Sequence, residues 1–179
     1  MTDPDAIVFE AAAFAARAHQ HHLRKDNRTP YISHPFRVCL VVRHVFGIAD
    51  PLVLAASLLH DTIEDTTTDY DDIVELFGPD VARWVAAVSK DSRLEFEERE
   101  ATYCEALAAA DWQAKVIKLA DLYDNLGDCR HFSPKGQAKT AAKARRYLAA
   151  VCGGLPPEAR DAAKLVEVRL AELESRLTA

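Results

Sequence analysis

Apolar side chains return every three or four positions through most of the chain, and no stretch alternates convincingly as a strand would. The run DPDAIVFEAAAFAARAH, with Pro4 near its start, can place Ile7, Ala11, Phe14 and Ala18 on one helical face. A polar, basic stretch follows, QHHLRKDNRTPYIS, with Pro30 marking a loop. Ser33 stands where a cap is expected and Pro35 in the first turn of the next helix, HPFRVCLVVRHVF, which Gly47 ends. DPLVLAASLLHDTIED opens in the same Asp-Pro manner. TTDYDDIVELFG closes on Gly78, and PDVARWVAAVSKD starts again from a proline. EFEEREATYCEALAAA and DWQAKVIKLADLYDNLGD read as two more helices and CRHFSPKGQ as a loop. AKTAAKARRYLAAVCGG ends at glycines, and residues 156–177 form a last amphipathic helix. The expected fold is all-α, about eight to nine helices in one domain over residues 1–179, since no interior linker is long enough to divide it.

Composition adds little to that picture but narrows the partners. The net charge of −6 argues against a nucleic-acid-wrapping surface, though not against a small anionic ligand met by a local basic cluster. Cys39, Cys104, Cys129 and Cys152 lie far apart without a CxxC spacing, the pattern of buried thiols in a reducing cytosol. The first ten residues lack a basic region ahead of an apolar core, and no apolar run approaches the roughly 18 residues of a membrane span. A cytoplasmic protein is expected.

The chemistry gathers where the apolar run of SLLHDTIEDT turns polar. His60, Asp61, Glu64 and Asp65 follow directly on Leu58 and Leu59, and burying such groups without a partner is costly. Adjacent helical residues point about 100° apart, so His60 and Asp61 can grip one ion only near a helix end. His34 at a predicted helix start and Asp121 on a helix whose other face is apolar complete a set of two imidazoles and two carboxylates. That set suits Mn²⁺, Fe²⁺ or Zn²⁺. Asn125, four residues after Asp121, can face the same cleft. Taken singly, none of these residues marks a site: a His-Asp doublet is common, and His34, Asp121 and Asn125 alone read as cap or surface residues. The joint pattern carries the reading.

The blocks RKDNRTPYISHP, AASLLHDTIEDT, ELFGPDVARWVAAVSKD and VIKLADLYDNLGD occur in the order found in the hydrolase domain of the RelA/SpoT family, and over about residues 18–150 the chain resembles that domain. With no synthetase segment following, it is similar to a stand-alone small alarmone hydrolase. The resemblance implies an HD-type phosphohydrolase that removes the 3′-pyrophosphate of ppGpp and pppGpp with Mn²⁺. It makes His34, His60, Asp61 and Asp121 the metal ligands and Glu64 and Asp65 the catalytic acids. Arg24, Lys25, Tyr31 and Asn125 become nucleotide contacts. The partner it implies is a small nucleotide rather than a nucleic acid or a membrane.

The chain departs from the family pattern at His21 and His22, where a glycine and a glutamine are usual, and at Leu122 and Asp124, where long members carry arginine and histidine. These departures fall on the purine side rather than the metal side. They keep adenine-containing alarmones, or another 3′-phosphorylated nucleotide, open as substrates. A different HD phosphohydrolase, such as a nucleotidase or an NADPH 2′-phosphatase, is the nearest rival, against which RK…PYISHP argues. A regulator that binds a nucleotide without hydrolysing it is a further alternative, against which the presence of both Glu64 and Asp65 argues. Either acid can orient the attacking water or take its proton, and spacing does not choose between them. Arg130, His131 and Lys135 form a second basic cluster that a phosphate or only solvent could meet.

Overall fold

The computed structural model describes residues 5–178, and its helices follow the apolar spacing closely. They are α1 (Ala6–Ala18), α2 (Ser33–Leu40), α3 (Pro51–Leu59), α4 (Thr62–Asp65), α5 (Tyr70–Phe77), α6 (Pro79–Val88), α7 (Phe96–Ala109), α8 (Trp112–Asp128), α9 (Pro134–Val151) and α10 (Pro157–Thr178). Nine of these ten run eight residues or longer, and α4 is a single turn. The one extended pairing among the described residues is an isolated bridge between Leu23 and Pro30, so the fold is all-α as expected. Pro4 lies outside the described residues.

Helix α3 is the centre. Asp50 accepts a hydrogen bond from the Leu52 N–H at 2.8 Å and Pro51 takes the first helical position, so the start is set by the sequence. Every residue from Val53 to Leu59 is buried, which is possible only for a helix surrounded on all sides. It packs against α1, α2, α6 and α8. Fully burying a leucine such as Leu59 is worth about 1.5–3 kcal/mol. All helices of eight residues or more place side chains in one shared apolar core. Helix α10 joins it through Ala159, Ala162, Val166, Leu170 and Leu173, which pack on α8 and α9. No helix among the described residues is long and apolar enough to cross a membrane.

Three boundaries differ from the sequence reading. The run expected to continue as helix from Pro51 to Asp65 breaks at His60 and Asp61. There, side chains take the carbonyls that would have propagated it: the Thr62 hydroxyl donates to Leu59 O at 2.7 Å, and His60 Nδ1 meets Ser57 O at 2.9 Å. Ser33 does not cap α2; Ile32 occupies the cap position, and the Ser33 hydroxyl is buried without a partner. Helix α2 then passes into a wider turn at Val41–Val45, and Gly47, at φ 73°, turns the chain away. Helix α9 begins at Pro134 rather than after Gln137, because Ser133 caps it by accepting from the Gly136 N–H at 3.3 Å.

Candidate metal centre and flanking cavities

The break after α3 turns His60 and Asp61 toward α2 and α8. His34, His60 and Asp121 are all buried, and their donor atoms lie within 4.8 Å of one another, a group able to hold a metal ion. The Asp61 carboxylate joins them, with Oδ2 2.9 Å from His60 Nε2 and 3.6 Å from His34 Nε2. His34 Nε2 is 3.2 Å from Asp121 Oδ1. Three of the four residues named from the sequence as ligands share that group, and Asp61 stands beside two of them, His60 and His34.

The polar groups around this cluster indicate what it would hold. His60 Nδ1 donates its proton to the Ser57 carbonyl, so Nε2 is the ring nitrogen turned toward the cluster. That buried Nε2 makes no hydrogen bond, although a carboxylate oxygen stands beside it. A buried ring nitrogen without a hydrogen bond, set among carboxylates, suits a bound cation. Burial pulls the Asp61 carboxyl upward, but the imidazoles of His60 and His34 hold it below the usual carboxylate range. Asp121 is likewise held well below it, against burial, by Lys118 at 2.7 Å and by His34. Burial acts to lower His34, yet its hydrogen bonds to Asp121 and Asp124 raise it to about 9. A cluster of fixed anions that draws positive charge onto an imidazole fits a divalent cation.

Two cavities adjoin this part of the fold: Glu64 and Asp65, three and four residues after Asp61, line one, and Asp121 lines the other. One, of about 460 Å³, is lined by Glu64 and Asp65 and by Lys90, Arg99, Lys139, Lys143 and Arg146. The other, of about 520 Å³, is lined by Arg24, Lys25, Lys118, Asp121, Asn125 and Phe132 among others. Lys139 and Lys143, one turn apart on α9, line both. Both expected catalytic acids thus face one cavity and three of the expected nucleotide contacts the other. The fourth, Tyr31, is not part of that lining: its hydroxyl donates to Asp61 Oδ2 at 2.6 Å and its ring packs against His19 at 4.8 Å. Of the second basic cluster, His131 lines a small cleft with Arg24 and Lys25, whereas Arg130 and Lys135 line neither of these two cavities.

Both expected catalytic acids are shifted from the ordinary carboxylate range. Burial pushes the Glu64 carboxyl upward, and Oε2 accepts the Lys90 backbone N–H at 2.9 Å. Burial and the Asp61 charge push Asp65 upward as well. Asn125 donates from Nδ2 to Asp121 and accepts from Arg24 at 3.4 Å, so it links a ligand to the basic loop. Arg24 also donates to Asp128 at 2.6 Å.

Several participants were not named from the sequence. Lys118 is three residues before Asp121, so the spacing argument that found Asn125 would have reached it. Lys139 and Lys143 recur at one-turn spacing within a helix rich in lysine and arginine, where nothing singles them out. Lys90 and Glu100 form a buried ion pair of 2.7 Å, extended by Tyr147, which donates to Glu100 at 2.6 Å, and by Arg146 at 3.1 Å. Their partners are distant in sequence, so the pattern was silent.

The Glu100 cluster braces the segment that holds Glu64. Burial opposes ionisation of Glu100, but Lys90 and Tyr147 hold its carboxyl at about 2, below its ordinary 4.5. A depressed carboxyl contributes stability above pH 4.5 that is lost as pH falls toward 2. Glu100→Gln leaves Lys90 nearly buried without its counter-charge and should cost about 3 kcal/mol in urea unfolding at pH 7. The variant's stability should also fall less steeply than the wild type's below pH 4.5, which a pH series of unfolding curves checks.

Comparison with known proteins returns the same architecture. Residues 11–150 match the model of the HD domain family. The chain is 42% identical over 137 residues to the guanosine-3′,5′-bis(diphosphate) 3′-pyrophosphohydrolase MESH1 of Xenopus tropicalis, covering 76% of each chain. It is 44% identical over 132 residues to the human MESH1, covering 73% of this chain and 74% of that one. A solved structure described as a metazoan orthologue of SpoT that hydrolyses ppGpp and plays a role in starvation responses superposes with a TM-score of 0.82. It shares 32% identity, and the match covers 98% of both chains.

Proposed function

The chain belongs to the HD domain family, in its MESH1 and SpoT branch, and from that premise we propose that it hydrolyses the 3′-pyrophosphate of ppGpp and pppGpp. The products are pyrophosphate and GDP or GTP. The observation that supports the reading is the buried cluster of His34, His60 and Asp121 with Asp61 beside it, in which His60 Nε2 makes no hydrogen bond, together with two cavities lined by cationic side chains.

In this reading His34, His60, Asp61 and Asp121 hold a divalent cation; two imidazoles and two carboxylates suit Mn²⁺, Fe²⁺ or Zn²⁺, and the family resemblance selects Mn²⁺ among them. A cation held there supplies Lewis acidity for activating water and for offsetting charge on the phosphoryl oxygens. Glu64 and Asp65 orient the attacking water and take its proton, for which carboxyls raised above their ordinary range are suited. The water oxygen bonds the phosphorus attached to O3′, the P–O3′ bond breaks, and the departing 3′-oxygen gains a proton. The nucleoside lies in the cavity of Arg24, Lys25 and Asn125. The pyrophosphate is directed to the cavity of Lys90, Arg99, Lys139 and Lys143, where Arg99, Lys139 and Lys143 have no carboxylate partner among the described residues. Lys118 stays paired to Asp121 and keeps that ligand ionised. The four cysteines are all free thiols, which supports a cytoplasmic setting.

The test is a substrate panel with Mn²⁺, resolved by chromatography: ppGpp, pppGpp, their adenine counterparts and NADPH. Hydrolysis of the guanine alarmones with release of pyrophosphate is expected. Turnover of only the adenine compounds or of NADPH would move the reading to those substrates, and no turnover of any would move it to a binding protein. Arg24→Ala should raise KM for ppGpp about 10- to 100-fold, the worth of a charge-assisted hydrogen bond, with kcat changed less than about 3-fold. A collapse of kcat at unchanged KM would contradict its placement.

A further inference from the structure

His34 and His60 are held in different ways. His60 Nδ1 rests on a neutral main-chain carbonyl, Ser57 O. His34 Nδ1 meets a carboxylate, Asp124 Oδ2, at 2.7 Å. Asp124 is clamped in turn by Arg37 from α2, Nε to Oδ1 at 2.7 Å and Nη2 to Oδ2 at 2.9 Å. The Asp124 side chain is 8% exposed and lines neither large cavity, so no substrate lying there reaches it. A buried carboxylate needs a partner, and here both its oxygens are spent on Arg37 and one also on the ligand imidazole.

We infer that Asp124, fixed by Arg37, is the positioning residue that aims His34 Nε2 at the metal centre and strengthens it as a donor. The geometry supports this directly: with Nδ1 committed to Asp124, the opposite ring nitrogen is the one that faces Asp121 at 3.2 Å and Asp61 at 3.6 Å. Outer carboxylates of this kind orient a ligating imidazole and raise its basicity, and their loss typically costs about 10- to 100-fold in metal affinity. The inference rests on the metal reading of the centre. The competing account is that Asp124 and Arg37 only tie α2 to α8 as an ion pair.

The two accounts part on substitution. Asp124→Asn loses the ion pair but its amide oxygen can still accept from His34 Nδ1, whereas Asp124→Leu loses both. Mn²⁺ would be titrated into the metal-free full-length chain and free ion read from its electron paramagnetic resonance signal, which needs no substrate. Asp124→Leu should bind about 10- to 100-fold more weakly than wild type, and Asp124→Asn should recover most of that loss. Should Asp124→Leu not fold, Arg37→Gln carries the test with an expected weakening of about 10-fold. Wild-type affinity in Asp124→Leu or Arg37→Gln, or an Asp124→Asn protein as weak as Asp124→Leu, would overturn the inference. A wild-type chain that takes up no cation would overturn the metal reading and the inference together.

Discussion

Replacing His60 with alanine should strip the protein of its cation and take hydrolysis to background while leaving the helices folded. His60 contributes its Nε2 to the centre of the donor cluster, 2.9 Å from Asp61, and no other imidazole besides His34 belongs to that group. Without it, three donors remain, and a cation held by four loses a quarter of its protein ligands, so affinity drops steeply. The metal-free fold has little to lose. The imidazole makes a single hydrogen bond, to Ser57 O, and carries an unsatisfied Nε2, so its removal relieves one cost while leaving a cavity. A stability change within about 2 kcal/mol corresponds to at most several degrees in Tm for a domain of this size. Metal analysis, circular dichroism and a turnover assay on one preparation check all three statements. Full activity in metal-analysed His60→Ala protein would remove the site assignment.

The second large effect concerns the acids. Glu64→Gln should keep the metal and bind alarmone yet hydrolyse it at least about 100-fold more slowly, the lower end of acid–base contributions. Glutamine preserves shape and can still accept the Lys90 N–H, so the loop stays in place, but it takes no proton at neutral pH. Asp65 lines the same cavity and is also pushed upward by burial, so the pair is measured together. If Asp65→Asn is the severe variant and Glu64→Gln the mild one, the base is Asp65. Single-turnover rates near normal in both would mean that neither acid takes the proton.

Much of this arrangement was legible from spacing. Helix α8 announced Asp121 and Asn125 because one turn separates them, and α3 announced itself through an unbroken apolar run behind an Asp-Pro start. The break at His60 was not legible, since it depends on Ser57 and Leu59 carbonyls being taken by side chains rather than by the next turn. The same limit hid Asp124, whose meaning comes from Arg37, 87 residues away, and from a ring nitrogen 90 residues away. Tyr31 was read as a nucleotide contact from its motif, yet its hydroxyl is spent on Asp61. Ser33 shows a limit of local reading: a residue of the right type before an apolar run suggests a cap, but Pro30 O and Tyr31 O already receive the first N–H groups of α2.

The most direct test of the central claim follows metal and product together. Protein stripped by a chelator should leave ppGpp intact, and adding back Mn²⁺ should restore hydrolysis in proportion to ion bound, releasing pyrophosphate and GDP in equal amounts. Hydrolysis that persists in metal-free protein, or release of single phosphates in place of pyrophosphate, would contradict the account.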